Sequence, residues 1–160
     1  MDFADKEFYQ AKYQKLMQTK IKKVTLRNLQ IEDYKELKKS MKMAYTDLED
    51  SYWREQDIEI LLELFPDGQL VIIADGKVVG AALSLILDES LVDKNPNYAK
   101  ITGNYTFSTH NPKGEILYGI DVFINPDYRG LRLGRRLYDA RKALCEQLNL
   151  KSIVFAGRIP

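Results

Sequence analysis

The chain has 160 residues, 45% of them hydrophobic and 29% charged, with 24 basic against 23 acidic side chains. So even a balance excludes a protein that grips nucleic acid with its whole surface, and the length fits one domain with a core of its own. A single cysteine, Cys145, excludes an intrachain disulfide, and the acidic start MDFADKEFYQ has no apolar signal segment; both point to a reducing, cytoplasmic setting.

Residues 3–20 place Phe8, Lys12 or Tyr13, and Leu16 or Met17 at helical spacing. This predicts a peripheral amphipathic helix, with 1–21 an extension and 22–160 the domain. KKVTLRNL reads as a strand. Ile31, Tyr34, Leu37, Met41 and Tyr45 then mark one face of a helix of about four turns. SYWREQDIEILLELF predicts a second helix, capped by Ser51, carrying Tyr52 and Trp53, and stopped by Pro66-Asp67-Gly68.

QLVIIADGKVVGAALSLIL is a hairpin pattern, two β-rich runs around Asp75-Gly76. Its longest apolar stretch, Val78 to Leu87, is too short to span a bilayer. Residues 88–114 are polar and irregular, a long loop with one short helix. EILYGIDVFI is apolar on both faces, as a central strand is, and Asn125-Pro126-Asp127 ends it. Leu133, Leu137, Ala140, Leu144 and Leu148 form the stripe of a following helix, with Cys145 a small buried hydrophobe beside it. KSIVFAG is a last strand, so strand, helix and strand form a parallel βαβ unit in a mixed α/β fold.

The segment VFINPDYRGLRLGRRLYDARKAL concentrates Arg129, Arg132, Arg135 and Arg136 where that helix begins. A helix N-terminus carries partial positive charge and disfavours cations. The conflict disappears if an anion sits there. Unpaired N–H groups of the first turn, backbone freedom at Gly130 and Gly134, and arginine forks together suit a polyphosphate. No Gly-Lys-Ser/Thr follows, so it is not a P-loop, and no G-x-G-x-x-G marks a dinucleotide site. Arg141 and Lys142, two turns further on, are expected on the exposed face.

At this point the sequence resembles the GNAT superfamily of acyl-CoA N-acyltransferases. That family carries R/Q-x-x-G-x-G/A between a strand and a helix. Arg129, Leu133 and Gly134 match, while Arg132 stands where the first motif glycine belongs. VTLRNLQIEDYKELKKSM and GQLVIIADGKVVGAALSLI resemble the family's first strand and helix and its second and third strands. ITGNYTFSTH, LYGIDVFINPDYRGLRLGRRLYDARK and VFAGRIP resemble more narrowly the acetyltransferase-like domain that precedes bacterial carbon–nitrogen hydrolase (nitrilase-like) domains.

The resemblance implies an N-acyltransferase that moves an acyl group from acyl-CoA, acetyl-CoA first of all, to a small-molecule or peptide amine by direct attack. It implies that backbone groups of Val122, Phe123 and Ile124 pair with the pantetheine arm. It implies that N–H groups from Arg129 through Gly130, Leu131, Arg132 and Leu133 to Gly134 hold the pyrophosphate, with Arg132, Arg135 and Arg136 meeting phosphate charge. A helix and two strands follow the fifth strand in the family, so the fold is expected to be incomplete at Pro160. The open sheet edge would invite a C-terminal hydrolase domain or a second copy.

Acid–base chemistry falls to the central strand. Asp121 and Tyr118 are the candidates for base, acid or substrate contact. Strand alternation is expected to turn them to opposite faces. His110, the one histidine, reads as loop decoration, and Trp53 and Tyr52 as packing. No metal ligand set stands out. The competing function is a non-catalytic acyl-CoA-binding module that regulates an attached amidase-like domain.

Overall fold

Asp75 and Gly76 take φ of 48° and 86°, the left-handed pair that fits the twist of a two-residue hairpin. They fold β2 (Leu70–Ala74) back on β3 (Lys77–Leu87). The structure is a computed structural model and describes residues 6–12, 23–45 and 52–155. Around the hairpin lie β1 (Val24–Asn28), β4 (Ile116–Ile124) and β5 (Ser152–Phe155), in the order β1-β2-β3-β4-β5. All neighbours are antiparallel except β4 and β5, which run parallel as the expected βαβ unit.

The helices depart from expectation mainly at their ends. Of the N-terminal helix, residues 6–12 (α1) are helical and exposed, and the rest of that expectation lies outside the described residues. After a 3-10 turn at Ile31–Asp33, α2 spans Tyr34–Ala44. The next helix, α3, spans Glu55–Leu64, so Tyr52 and Trp53 precede it rather than sit on it. Ser51 lies outside the described residues, and the α3 start is closed by Asp57, whose Oδ2 accepts the Arg54 N–H at 2.9 Å. Two short helices, α4 (Glu89–Asp93) and α5 (Tyr98–Ile101), stand where one was expected. The long α6 spans Leu133–Gln147, leaving Leu148 beyond its end and 39% exposed.

Leu37 and Met41 of α2 and Ile58 and Leu61 of α3 pack with Phe107 on one face of the sheet, against Val71, Leu83, Leu85 and Ile120. On the other face, Leu133 and Leu137 of α6 cover Ile72 and Ala82, and Cys145 packs with Ile86 and Leu117. Burial pushes the Cys145 thiol up, as suits a packing role. Among the described residues no helix is long and apolar enough to cross a membrane, and no group of three or more histidines, cysteines and acidic residues could hold a metal.

His110 is more than loop decoration. Its Nδ1 accepts the Ile86 N–H at 3.0 Å, and its ring stacks on Phe65, 5.2 Å between centroids. Burial lowers its pKa from 6.5, so folding favours the neutral ring that can accept this bond. The unfolded chain binds the proton more readily. Stability is therefore complete above pH 6.5 and lost as pH falls through the lower folded pKa. Melting temperatures should fall between pH 7 and pH 5, and His110→Phe should flatten that slope.

Candidate active site

The turn after β4 is built to stop a strand and aim a helix. Asn125 Oδ1 accepts the Asp127 N–H at 3.0 Å, and a 3-10 turn runs over Pro126–Tyr128. Gly130 has φ 86°, and Arg132 has φ 57° and ψ 29° as the residue just before α6. The left-handed region is reserved in the main for glycine, so Arg132 stores roughly 1 kcal/mol of strain. That is the conformational reason a glycine is usual at this motif position.

The buried side chain of Leu133 pins the first turn of α6, and Leu131 is half-buried beside it. The N–H groups of residues 130–135 find no backbone acceptor among the described residues. A Cβ on Gly134 would meet nothing within 4 Å, so open space faces these donors. Arg129, Arg132, Arg135 and Arg136 are all exposed around it. Arg135 has only a loose contact of 3.9 Å with Asp139. Unspent N–H groups, a helix dipole and exposed cations around an unobstructed glycine fit a pyrophosphate well.

A second open element leads away from this cradle. Among the described residues, which end at Phe155, the β4–β5 pairing runs from Ile116 to Gly119 against Ser152 to Phe155, and β4 continues to Ile124. Val122, Phe123 and Ile124 pair with Ala82, Ala81 and Gly80 on the β3 side and, among the described residues, with no strand on the other. Phe123 is buried and Val122 is 46% exposed. An extended amide-bearing chain can pair with that edge as a missing strand would.

The expectation that Asp121 and Tyr118 face opposite ways fails, and the reason is a β-bulge. Leu83 pairs with Asp121 and Ser84 with Gly119, leaving Ile120 as an extra residue. The bulge turns Tyr118, Ile120 and Asp121 to the same face, the one covered by α2 and α3. Asp121 is 5% exposed. Its Oδ1 accepts the Tyr45 hydroxyl at 2.6 Å and its Oδ2 the Trp53 indole N–H at 2.9 Å. The Tyr98 hydroxyl donates to the bulge carbonyl of Ile120 at 2.7 Å. Trp53, Tyr98, Tyr105 and Phe107 form one aromatic wall beside these groups. Burial raises the Tyr118 phenol pKa and keeps it protonated.

Arg141 corrects another expectation: it is 2% exposed rather than on the solvent face. Its Nη2 donates to the carbonyls of Leu83 and Asp121 at 2.6 and 2.7 Å, so it clamps both strands at the bulge. Burial pulls its pKa down to about 10, so it remains charged at neutral pH, with Asp121 opposing the shift. A signal was present in the sequence. The buried residues of α6 are Leu133, Leu137, Arg141 and Cys145, a strict four-residue repeat that the apolar stripe alone obscures. Nothing local marked Tyr45 or Trp53 as partners of Asp121, because they lie 76 and 68 residues away.

Three similarities bear on this arrangement. The chain is 36% identical over 139 residues to probable hydrolase YhcX of Bacillus subtilis, covering 87% of this chain and 27% of that protein. It is 29% identical over 108 residues to the uncharacterized N-acetyltransferase YkwB of the same organism, covering 68% of this chain and 48% of that protein. The chain thus spans about a quarter to a half of these relatives. Among solved structures it superposes on the loading GNATL domain of CurA from Lyngbya majuscula with TM-score 0.73 and 21% identity, over 87% of this chain and 67% of that one. The mixed sheet flanked by helices is thus a shared fold, and residues 25–159 match the model of the acetyltransferase (GNAT) family, to which the chain belongs.

Proposed function

We propose that this domain binds acyl-CoA and transfers its acyl group to an amine, acting in the cytoplasm as an N-acetyltransferase-type enzyme. The observation that carries the reading is the continuity of the two open elements. The cradle of Arg129–Gly134 leads onto the edge of Val122–Ile124, which no strand among the described residues pairs on that side, and that edge ends at the bulge holding Asp121. The bound thioester supplies an activated carbonyl. Residues 130–135 hold the pyrophosphate, with Arg132, Arg135 and Arg136 meeting phosphate charge. Val122, Phe123 and Ile124 align the pantetheine amides. Asp121, held between Tyr45 and Trp53, orients the incoming amine and takes up its proton. Tyr118, on the same face and kept protonated, donates toward the departing sulfur.

Calorimetric titration of acetyl-CoA and CoA tests the binding half. Arg132→Glu with Arg135→Glu removes two charge-assisted contacts worth about 1.5–3 kcal/mol each, so affinity should fall roughly 100-fold or more. Unchanged binding by the folded double variant would overturn the site.

One observation favours a second reading. The relative named a probable hydrolase is almost four times as long as the aligned segment, which covers 27% of it. The domain would then sense acyl-CoA for an attached carbon–nitrogen hydrolase domain. Acyl-CoA binding without thiol release across a broad amine panel, insensitive to Asp121→Asn and Tyr118→Phe, would establish that reading over the enzymatic one.

A further inference from the structure

Between α5 and β4 the backbone is held in the left-handed region almost continuously. Gly103 has φ 62°, Asn104 56°, Tyr105 65° and Phe107 61°. Bulky L side chains avoid that region, so local contacts must hold them there and something must be gained by it. The holding contacts are plain. The Asn104 N–H donates to the Ala99 carbonyl at 2.7 Å and the Phe107 N–H to the Thr102 carbonyl at 2.8 Å. Thr102 Oγ1 accepts the Tyr105 N–H at 3.2 Å, and the Thr106 hydroxyl donates to the Gly103 carbonyl at 2.6 Å. The gain is less uniform. Phe107 is fully buried, 5.8 Å from the Trp53 ring, so core packing accounts for its conformation. Core packing does not account for Tyr105, which is bulky, left-handed and yet 48% exposed.

Tyr105 is the outer end of an aromatic array that starts at Asp121. Trp53, buried, donates its indole N–H to Asp121 Oδ2 at 2.9 Å. Tyr98, whose hydroxyl donates to the bulge carbonyl of Ile120, lies 6.4 Å from Trp53 between ring centroids. Tyr105 lies 6.5 Å from Trp53 and 6.0 Å from Tyr98, with its ring tilted 54° and 60° to theirs. A buried carboxylate thus stands at the base of three tilted rings, the last of them open to solvent. Tilted arrays of this kind accept a further ring edge or hydrocarbon at their open end. The strained segment fixes that end in advance, so little side-chain ordering is left to pay on binding.

Resting on the acyl-transfer reading above, we infer that Tyr105 selects the acceptor. It receives an apolar, ring-sized body whose primary amine reaches inward toward Asp121. The acceptor class is then a hydrophobic primary amine, in preference to a small polar one.

Trp53 is the one tryptophan of the chain, so its fluorescence reports on this array. The test titrates phenethylamine and ethylamine into the full chain with CoA bound. Phenethylamine should change Trp53 emission saturably at a concentration at least about tenfold below that needed of ethylamine, the ratio one well-placed ring contact supplies. Tyr105→Asn removes the ring and keeps a residue that tolerates the left-handed region. In that variant the ratio should fall to about one, with CoA affinity and melting temperature close to wild type. A ratio that survives in the folded variant, as a purely structural Tyr105 would leave it, overturns the inference. If the variant does not fold, the wild-type ratio decides alone. CoA binding with an equal response to the two amines, or with none, overturns the inference and leaves the acyl-CoA reading standing. No binding of CoA overturns both.

Discussion

Gly134→Glu is expected to make the protein more stable and unable to bind acyl-CoA. The two effects have separate causes. Glycine in a helix costs about 1 kcal/mol relative to a good helix former, and Gly134 has neither a positive φ nor a neighbour that requires it. A carboxylate in the first turn of α6 adds about 0.3–1 kcal/mol through the helix dipole. Together these should raise the melting temperature by several degrees for a chain of this size. The same carboxylate projects into the space where the phosphates would lie, next to Arg132, Arg135 and Arg136. Steric exclusion and like charge act in one direction, and affinity should fall by at least 100-fold. Thermal unfolding and calorimetry on one sample check both halves. A stabilised variant that still binds CoA at wild-type affinity would move the ligand away from this helix.

Asp121→Leu should cost the fold about 3–5 kcal/mol, the range for removing one partner from a buried polar cluster. Three groups lose at once. The Tyr45 hydroxyl and the Trp53 indole N–H lose their acceptors, and Arg141 loses the acidic group acting on its charge. Asp121→Asn keeps one acceptor oxygen and should cost much less while abolishing turnover, since an amide cannot take a proton from an amine. Denaturant unfolding of the two variants separates the structural role from the chemical one. Equal losses in both would tie the cost to charge rather than to hydrogen bonding.

The sheet was legible in the sequence because its signals are local. Asp75-Gly76 specifies a turn, alternating and continuous apolar runs specify strands, and Asn125-Pro126 punctuates the central one. The cradle was legible for the same reason: Arg129 to Gly134 are contiguous. The acid–base cluster was not. Asp121 is completed by Tyr45 and Trp53 from a distant part of the chain, and strand alternation gave the wrong face for it because Ile120 bulges. Arg141 was misplaced because charge was read before spacing, although it falls on the four-residue repeat of buried positions in α6.

The extra residue at Ile120 reverses the phase of the strand beyond it and so sets the face on which Asp121 lies. Were β4 to keep all nine residues and pair with β3 without the bulge, strict alternation would turn Asp121 away from Trp53 toward the α6 side, into the company of Arg141. A more perfect sheet would thus bring together the two charges now held on opposite faces, and would join them in a mute internal salt bridge. The irregularity keeps them apart. Single-residue insertions and deletions elsewhere in β4 should therefore be far less tolerated than in the hairpin turn at Asp75-Gly76, whereas deletion of Ile120 itself leaves Asp121 facing Trp53.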